Sequence, residues 1–314
     1  MQVHLPRTPQ GLRNAAIQFD ELNRRACKHE IHCEKCDSVS TILDSKHSYL
    51  RHELCDADMS CRDCGAALFF CLENMEYIPY SKSLVLPLDV QLQARLSGLY
   101  LQDIVDTSIF LDQHARRWPA GIHSGDTTDC ESVREIFRRH PQDCRVDLSD
   151  PSHGKIYILY TVTSDSHDPF DTFQYSMWDQ WLVVHNQPVQ SRTWASRPFL
   201  LKATADGKKP TNLKSHLQFF AKWKHQFANN GIVLGPRRLF VTDSGGSRRL
   251  QQFDKISVKG FMISYGGDCV DLSAIMNIMN HANPNCRLTK YNISAVRMSS
   301  HQLAYSALHG LHGK

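Results

Sequence analysis

The chain has 314 residues, of which 41% are hydrophobic and 22% charged, and a formal net charge of +4. That balance excludes extended disorder and supports a real core, and the length suits one large domain or two lobes. No apolar run approaches the ~20 residues that span a bilayer, and Met1 to Gly11 carries no apolar leader core, so a reducing cytosol without membrane insertion is the expectation. Eleven cysteines, an odd count, then read as metal ligands and buried thiols rather than disulfides, and the Asn292-Ile-Ser sequon as silent.

The first feature along the chain is a cysteine cluster. Cys27, Cys33, Cys36, Cys55, Cys61, Cys64 and Cys71 fall within 45 residues, with His29, His32, His47 and His52 among them. Zinc takes four tetrahedral donors, and a C-x2-C turn supplies two of them from one knuckle. Cys33 and Cys36 form such a turn, which leaves two closures: His52 with Cys55, or a ribbon-like site with Cys61 and Cys64, the latter followed by Gly65. Either set leaves no open position for a reacting water, so Zn2+ would be structural, and much of the small lobe's folding energy would depend on it. The bland alternative, buried free thiols, explains two C-x2-C pairs less well.

Leu88 to Arg117 is expected to be helical, with Leu88, Leu92, Leu96 and Leu99 on one core-facing stripe. Thr128-x-x-Glu131 has the spacing of a capping box, opening a helix whose inner face is Val133, Ile136 and Phe137. Strands are expected over Lys155 to Thr163 and Trp181 to His185. Thr211 to Phe227 returns to helical spacing, with Leu213, Leu217, Phe220 and Phe227 inward, and with Lys214, Gln218, Lys222 and His225 sharing one quarter of the circumference. Phe219 and Trp223, which interleave with those lysines, read as core aromatics more readily than as base-stacking platforms. Leu239 to Thr242 and Val258 to Tyr265 read as strands of a meander with Arg237, Arg238, Arg248 and Arg249 in its turns, and the last fifteen residues as frayed. The fold class is therefore α+β and two-lobed: a small zinc-binding lobe over 1–85 and a larger mixed lobe over 86–314.

Charge is uneven. Lys202 to Lys259 holds twelve Lys or Arg against Asp206, Asp243 and Asp254, so this segment is +9 on a chain of +4. Such a block points to an anionic partner, although a charged face usually serves only to solvate.

Cys27-x5-Cys33-x2-Cys36, followed by Cys55 with His52 before it, resembles the finger of the reovirus outer-capsid clamp proteins, the orthoreovirus sigma-B class and the aquareovirus outer-capsid protein. Met1-Gln-Val-His-Leu-Pro resembles that family's opening motif, and the length is similar; the explicit likeness covers roughly the first 55 residues. The resemblance implies Cys33, Cys36, His52 and Cys55 as ligands. In the family the histidine stands two positions before the last cysteine, where this chain has Glu53, so His47 or Cys61 is a further candidate for the fourth ligand.

Membership would imply a virion outer-capsid protein that caps the viral membrane-penetration protein and is removed by proteolysis during entry. It would also imply double-stranded RNA binding in the host cytoplasm, which counters translation shutdown, and a homodimer. The basic block supports the RNA expectation independently. Double-stranded RNA is read by shape, phosphate and 2′-hydroxyl contacts, which lysine and arginine on a rigid surface supply. The residues expected to carry it are Lys208, Lys209, Lys214, Lys222, Lys224, Arg237 and Arg238, with Arg248 and Arg249 as a second patch.

Two other classes compete. A zinc-ribbon protein that binds nucleic acid without a capsid role would share the metal site and the basic block. Tyr265-Gly266-Gly267-Asp268 and Asn280-His281-x2-Asn283-Pro284-Asn285-Cys286 resemble fragments of SET-domain lysine methyltransferases, but the interval between them is too short to build that pocket. With no G-x-S-x-G elbow or H-E-x-x-H helix in the chain, a non-enzymatic protein is expected.

Overall fold

The computed structural model describes residues 27–36, 38–114, 128, 130–167, 176–188, 192, 198–207, 220, 223–242 and 246–266. Met1 to Pro6, Leu213, Leu217, Gln218, Phe219, Gly267, Asp268, the Asn280 to Cys286 fragment, the sequon and the last fifteen residues lie outside the described residues. The chain is strand-rich. Thirteen strands are described: β1 (Lys28–His32), β2 (Val39–Asp44), β3 (Tyr49–Leu50), β4 (Phe69–Cys71), β5 (Glu76–Pro79), β6 (Lys82–Val85), β7 (Gly154–His167), β8 (Ser176–Val184), β9 (Phe199–Gly207), β10 (Ile232–Leu234), β11 (Arg237–Thr242), β12 (Arg248–Phe253) and β13 (Ile256–Gly266). The helices are α1 (Asp56–Met59), α2 (Leu88–Arg95), α3 (Gly98–His114) and α4 (Glu131–Arg139), and 223–229 form a further helical segment.

Eight strands make one sheet in the order β10-β13-β7-β8-β9-β6-β1-β2. β13 and β7 run parallel, and the other neighbours pair antiparallel. β7 is apolar on both faces because both faces are covered. Ile156, Ile158, Tyr160 and Val162 join a cluster with Leu92 of α2, Leu96 at its C-cap, and Ile104 and Val105 of α3, whereas Tyr157 and Leu159 join one with Val133 and Phe137 of α4. Phe227 of the helical segment lies against Gly260 of β13, where a Cβ would come within 1.9 Å of its ring. The boundary expected at 85/86 falls at the end of β6, which pairs with β1 on one side and β9 on the other, so β1 and β2 of the cysteine-rich segment share this sheet with the later chain, while β3, β4 and β5 form a separate sheet in the order β3-β5-β4.

Three expectations shift. The helix expected from Leu88 breaks after Leu96: Gly98 takes φ +51, and the helix that follows is rephased. Leu101, Ile104 and Val105 then occupy the core and Leu99 is 81% exposed. The helix expected to open on Thr128-x-x-Glu131 starts at Glu131 with Cys130 as its N-cap; Val133 and Phe137 are buried as expected. The strands start earlier than expected, and β7 and β13 also run past their expected ends while β8 stops at Val184, because pairing with long neighbours continues past the apolar stretch.

A buried polar ladder crosses the sheet. Lys202 of β9 and Glu30 of β1 form an ion pair with side chains 0% and 1% exposed, reaching across β6. His32 Nε2 is 2.7 Å from the Ser83 hydroxyl, and Ser83 is 2.7 Å from Thr204 Oγ1. A one-residue slip of β1 would move Glu30 to the opposite face, so this pair also marks the register.

Candidate metal centre

Two equivalent turns build the site. In the first, β1 and β2 form a hairpin in which His32 pairs with Val39 and the Cys33 amide donates to Ser38 O at 2.9 Å. In the second, Ser60 bridges Ala67 and the Cys61 amide donates to Ala66 O at 2.7 Å. The spacing of the paired residues and the cysteines is the same in both. The second turn closes at Gly65, whose φ of +71 is left-handed and favours glycine, and whose amide donates to Cys61 O at 2.8 Å.

The four sulfurs meet. Sγ atoms of Cys33, Cys36, Cys61 and Cys64 all lie within 4.8 Å of one another, an arrangement that could hold a metal ion. Cys33 Sγ is 3.5 Å from Cys64 Sγ, and Cys36 Sγ is 3.5 Å from Cys61 Sγ, far beyond a disulfide bond. A tetrahedron with metal–sulfur bonds of about 2.3 Å has sulfur–sulfur edges of about 3.8 Å, so little movement is needed around an ion. In each turn the first cysteine is buried, in a cluster with Ile31, Tyr49, Leu54, Leu68 and Phe69, and the second lies nearer solvent.

The expected ligand set and the observed cluster differ. Cys33 and Cys36 are in place, but His52 and Cys55 are not with them: the structure closes the cluster with Cys61 and Cys64. His52 sits exposed in the turn Arg51–Glu53, and Cys55 is the N-cap of α1, its thiol exposed and donating to Asp58 Oδ2 at 2.7 Å. The hairpin repeat is the physical reason, since the two like turns meet through Cys33 and Cys36 of the first and Cys61 and Cys64 of the second. The second C-x2-C with its following glycine was the legible signal. His47 is exposed and outside the cluster.

The surroundings favour thiolate at one position. Burial raises the Cys61 thiol, but hydrogen bonds led by that of the Ser38 hydroxyl outweigh it and bring it down to about 5. Ser38 Oγ is 3.2 Å from both Cys36 Sγ and Cys61 Sγ, a contact that spacing alone did not reveal. Burial drives the Cys33 thiol the other way, to about 12. Without a cation the four sulfurs cannot all ionise; a divalent ion removes that conflict.

The basic segment divides. Lys208, Lys209, Lys214 and Lys222 lie outside the described residues. Lys202 is consumed by Glu30, and Lys259 pairs with Asp143 at 2.7 Å. Arg237 is a fold clamp: its guanidinium donates to Leu96 O at 2.8 Å and to Gln93 O, and burial lowers its pKa. Arg248 pairs with Asp106 at 2.7 Å and stacks 5.3 Å from the Phe240 ring. Burial also lowers Lys224. Arg238 and Arg249 are exposed on β11 and β12, and His225 is exposed on the helical segment.

No helix among the described residues is long and apolar enough to cross a membrane. No protein-family model matches the chain, and no curated protein matches it.

Proposed function

We propose that Cys33, Cys36, Cys61 and Cys64 hold a structural zinc ion, and that the chain is a non-enzymatic, zinc-stapled protein of a viral outer capsid that binds double-stranded RNA. The close approach of four sulfurs from two like turns supports the zinc. A set of four thiolates suits zinc among the common divalent ions, and it is coordinatively closed, which is the pattern of a structural rather than a catalytic site.

The capsid role rests on the resemblance described above: capping the membrane-penetration protein, removal by proteolysis during entry, and homodimer formation in virion and host cytoplasm. With His52 and Cys55 out of the cluster, that resemblance is carried by the opening motif, Cys27, Cys33, Cys36 and the length. The ribbon closure favours a second reading, a zinc-ribbon protein that binds nucleic acid without a capsid role. Co-expression with a penetration protein separates them, since only the first reading predicts a stable complex.

Both readings share nucleic-acid binding. Because Arg237 and Arg248 are engaged within the chain, the proposed RNA contacts fall to Lys208, Lys209, Lys214 and Lys222, with Arg238 and Arg249. The test is a titration of zinc-loaded protein against double-stranded RNA, single-stranded RNA and duplex DNA of equal length across a salt series. A preference for double-stranded RNA that weakens steeply with salt and is lost when the four lysines become glutamine supports the reading. Equal or absent binding of all three at low salt refutes it.

A further inference from the structure

The small sheet β3-β5-β4 has two unlike faces. Tyr49, Phe69 and Tyr77 pack into the cluster that holds Cys33 and Cys61. The alternate residues point the other way. Phe70 pairs with Ile78 and Leu50 with Glu76, and the Phe70 and Tyr80 rings lie 5.3 Å apart. On this outer face Leu50, Phe70 and Tyr80 are 44%, 36% and 48% exposed, an apolar row where a one-sided sheet normally turns polar residues to solvent.

A second observation lies at one end of that face. Met75, in the turn joining β4 to β5, adopts φ 64, a left-handed conformation that disfavours a residue with a Cβ. Hydrogen bonds of the turn itself hold that conformation, the Met75 amide donating to Leu72 O at 3.0 Å and the Leu72 amide to Glu76 O at 2.7 Å, while the side chain is 64% exposed and available to a partner.

The charges around the face are not balanced. Lys46 is paired with Glu53 and Arg51 with Asp56. The Glu76 carboxylate accepts the Ser48 hydroxyl at 2.6 Å and has no cationic partner among the described residues, and Glu73 is exposed in the Met75 turn. The uncompensated charge is negative, which disfavours nucleic acid and favours a basic partner. Three strands span about 10 Å, the diameter of one helix.

We propose that this face docks an amphipathic helix of a partner protein, whose apolar stripe lies across Leu50, Phe70, Ile78 and Tyr80 and whose flanking Lys or Arg residues meet Glu73 and Glu76. The inference is independent of the RNA reading. It rests on the metal reading only because the opposite face of the same sheet packs on two of the ligands; zinc would hold the docking face flat.

The test uses the full zinc-loaded chain and two labelled peptides of about 18 residues, five helical turns, with the same leucine stripe and either lysine or glutamate flanks. The lysine peptide is expected to bind about tenfold more tightly, and the double variant Phe70→Ser/Tyr80→Ser to lose about tenfold in affinity. Leu99→Ser, exposed elsewhere, is expected to change nothing. Glu73→Lys/Glu76→Lys, which touches no core residue, is expected to reverse the peptide preference even if the serine variant folds poorly. Equal binding of both peptides, or an unchanged preference on charge reversal, overturns the proposal. Self-association of the wild type that the serine variant abolishes assigns the face to a second copy and also overturns it. Competition by RNA for the peptide does the same. Unaltered RNA binding by the charge-reversal variant keeps the two proposals separate.

Discussion

Replacing Cys61 by serine tests the ligand set most directly. Structural zinc binding is worth about 12 kcal/mol in small metal-stapled units, or about 3 kcal/mol per ligand if shared over four. Losing Cys61 should therefore weaken zinc by roughly 150-fold, and more if the remaining sulfurs lose their geometry. The same loss is expected for Cys64→Ser. Cys55→Ser and His52→Ala should leave affinity unchanged, because the Cys55 thiol is turned to Asp58 and His52 is exposed outside the cluster. The assay is competition with a chromophoric zinc chelator, with cobalt substitution reading tetrahedral thiolate coordination independently. An equal loss in Cys55→Ser and Cys61→Ser, or a wild type that takes up no metal, would refute the assignment.

The remaining predictions concern the scaffold. Lys202→Met strands Glu30 in the interior and should cost about 3–5 kcal/mol in urea unfolding, whereas Glu30→Gln/Lys202→Met should recover most of it; equal instability of both would show that the pair does not act as a unit. His29 is held down to about 4 from 6.5, first by burial and then by Lys82, so the unfolded chain binds its proton before the folded one does. Stability should fall as pH drops from about 6.5 towards 4, by the order of 2 kcal/mol after screening, and His29→Gln should flatten that part of the pH profile. Gly260→Ala would drive a Cβ into the Phe227 ring, which lies 1.9 Å away, and should cost about 3 kcal/mol by thermal melting; a neutral result would mean that the helix over 223–229 is not seated on β13.

What could be read from the order of residues was local. Two C-x2-C pairs implied a metal knuckle whichever way it closed, because two thiolates at that spacing are presented by a single turn. Apolar runs marked β7, β8 and β13, and spacing marked the inner faces of α2 and α4, since burial repeats with the period of the element. Other features needed contacts between residues far apart in sequence. Cys55 and Cys61 are both within reach of Cys33 along the chain; only the facing of two hairpins selects Cys61. Lys202 and Arg237 counted as surface charge until β1 supplied Glu30 and α2 supplied its carbonyls. The strands of the cysteine-rich segment, short and broken by polar residues, carry little periodicity of their own. β1 and β2 are joined through β6 to β9 in the large sheet, and β3, β4 and β5 pair only with one another; pairing energy of that kind is absent from any single stretch of sequence.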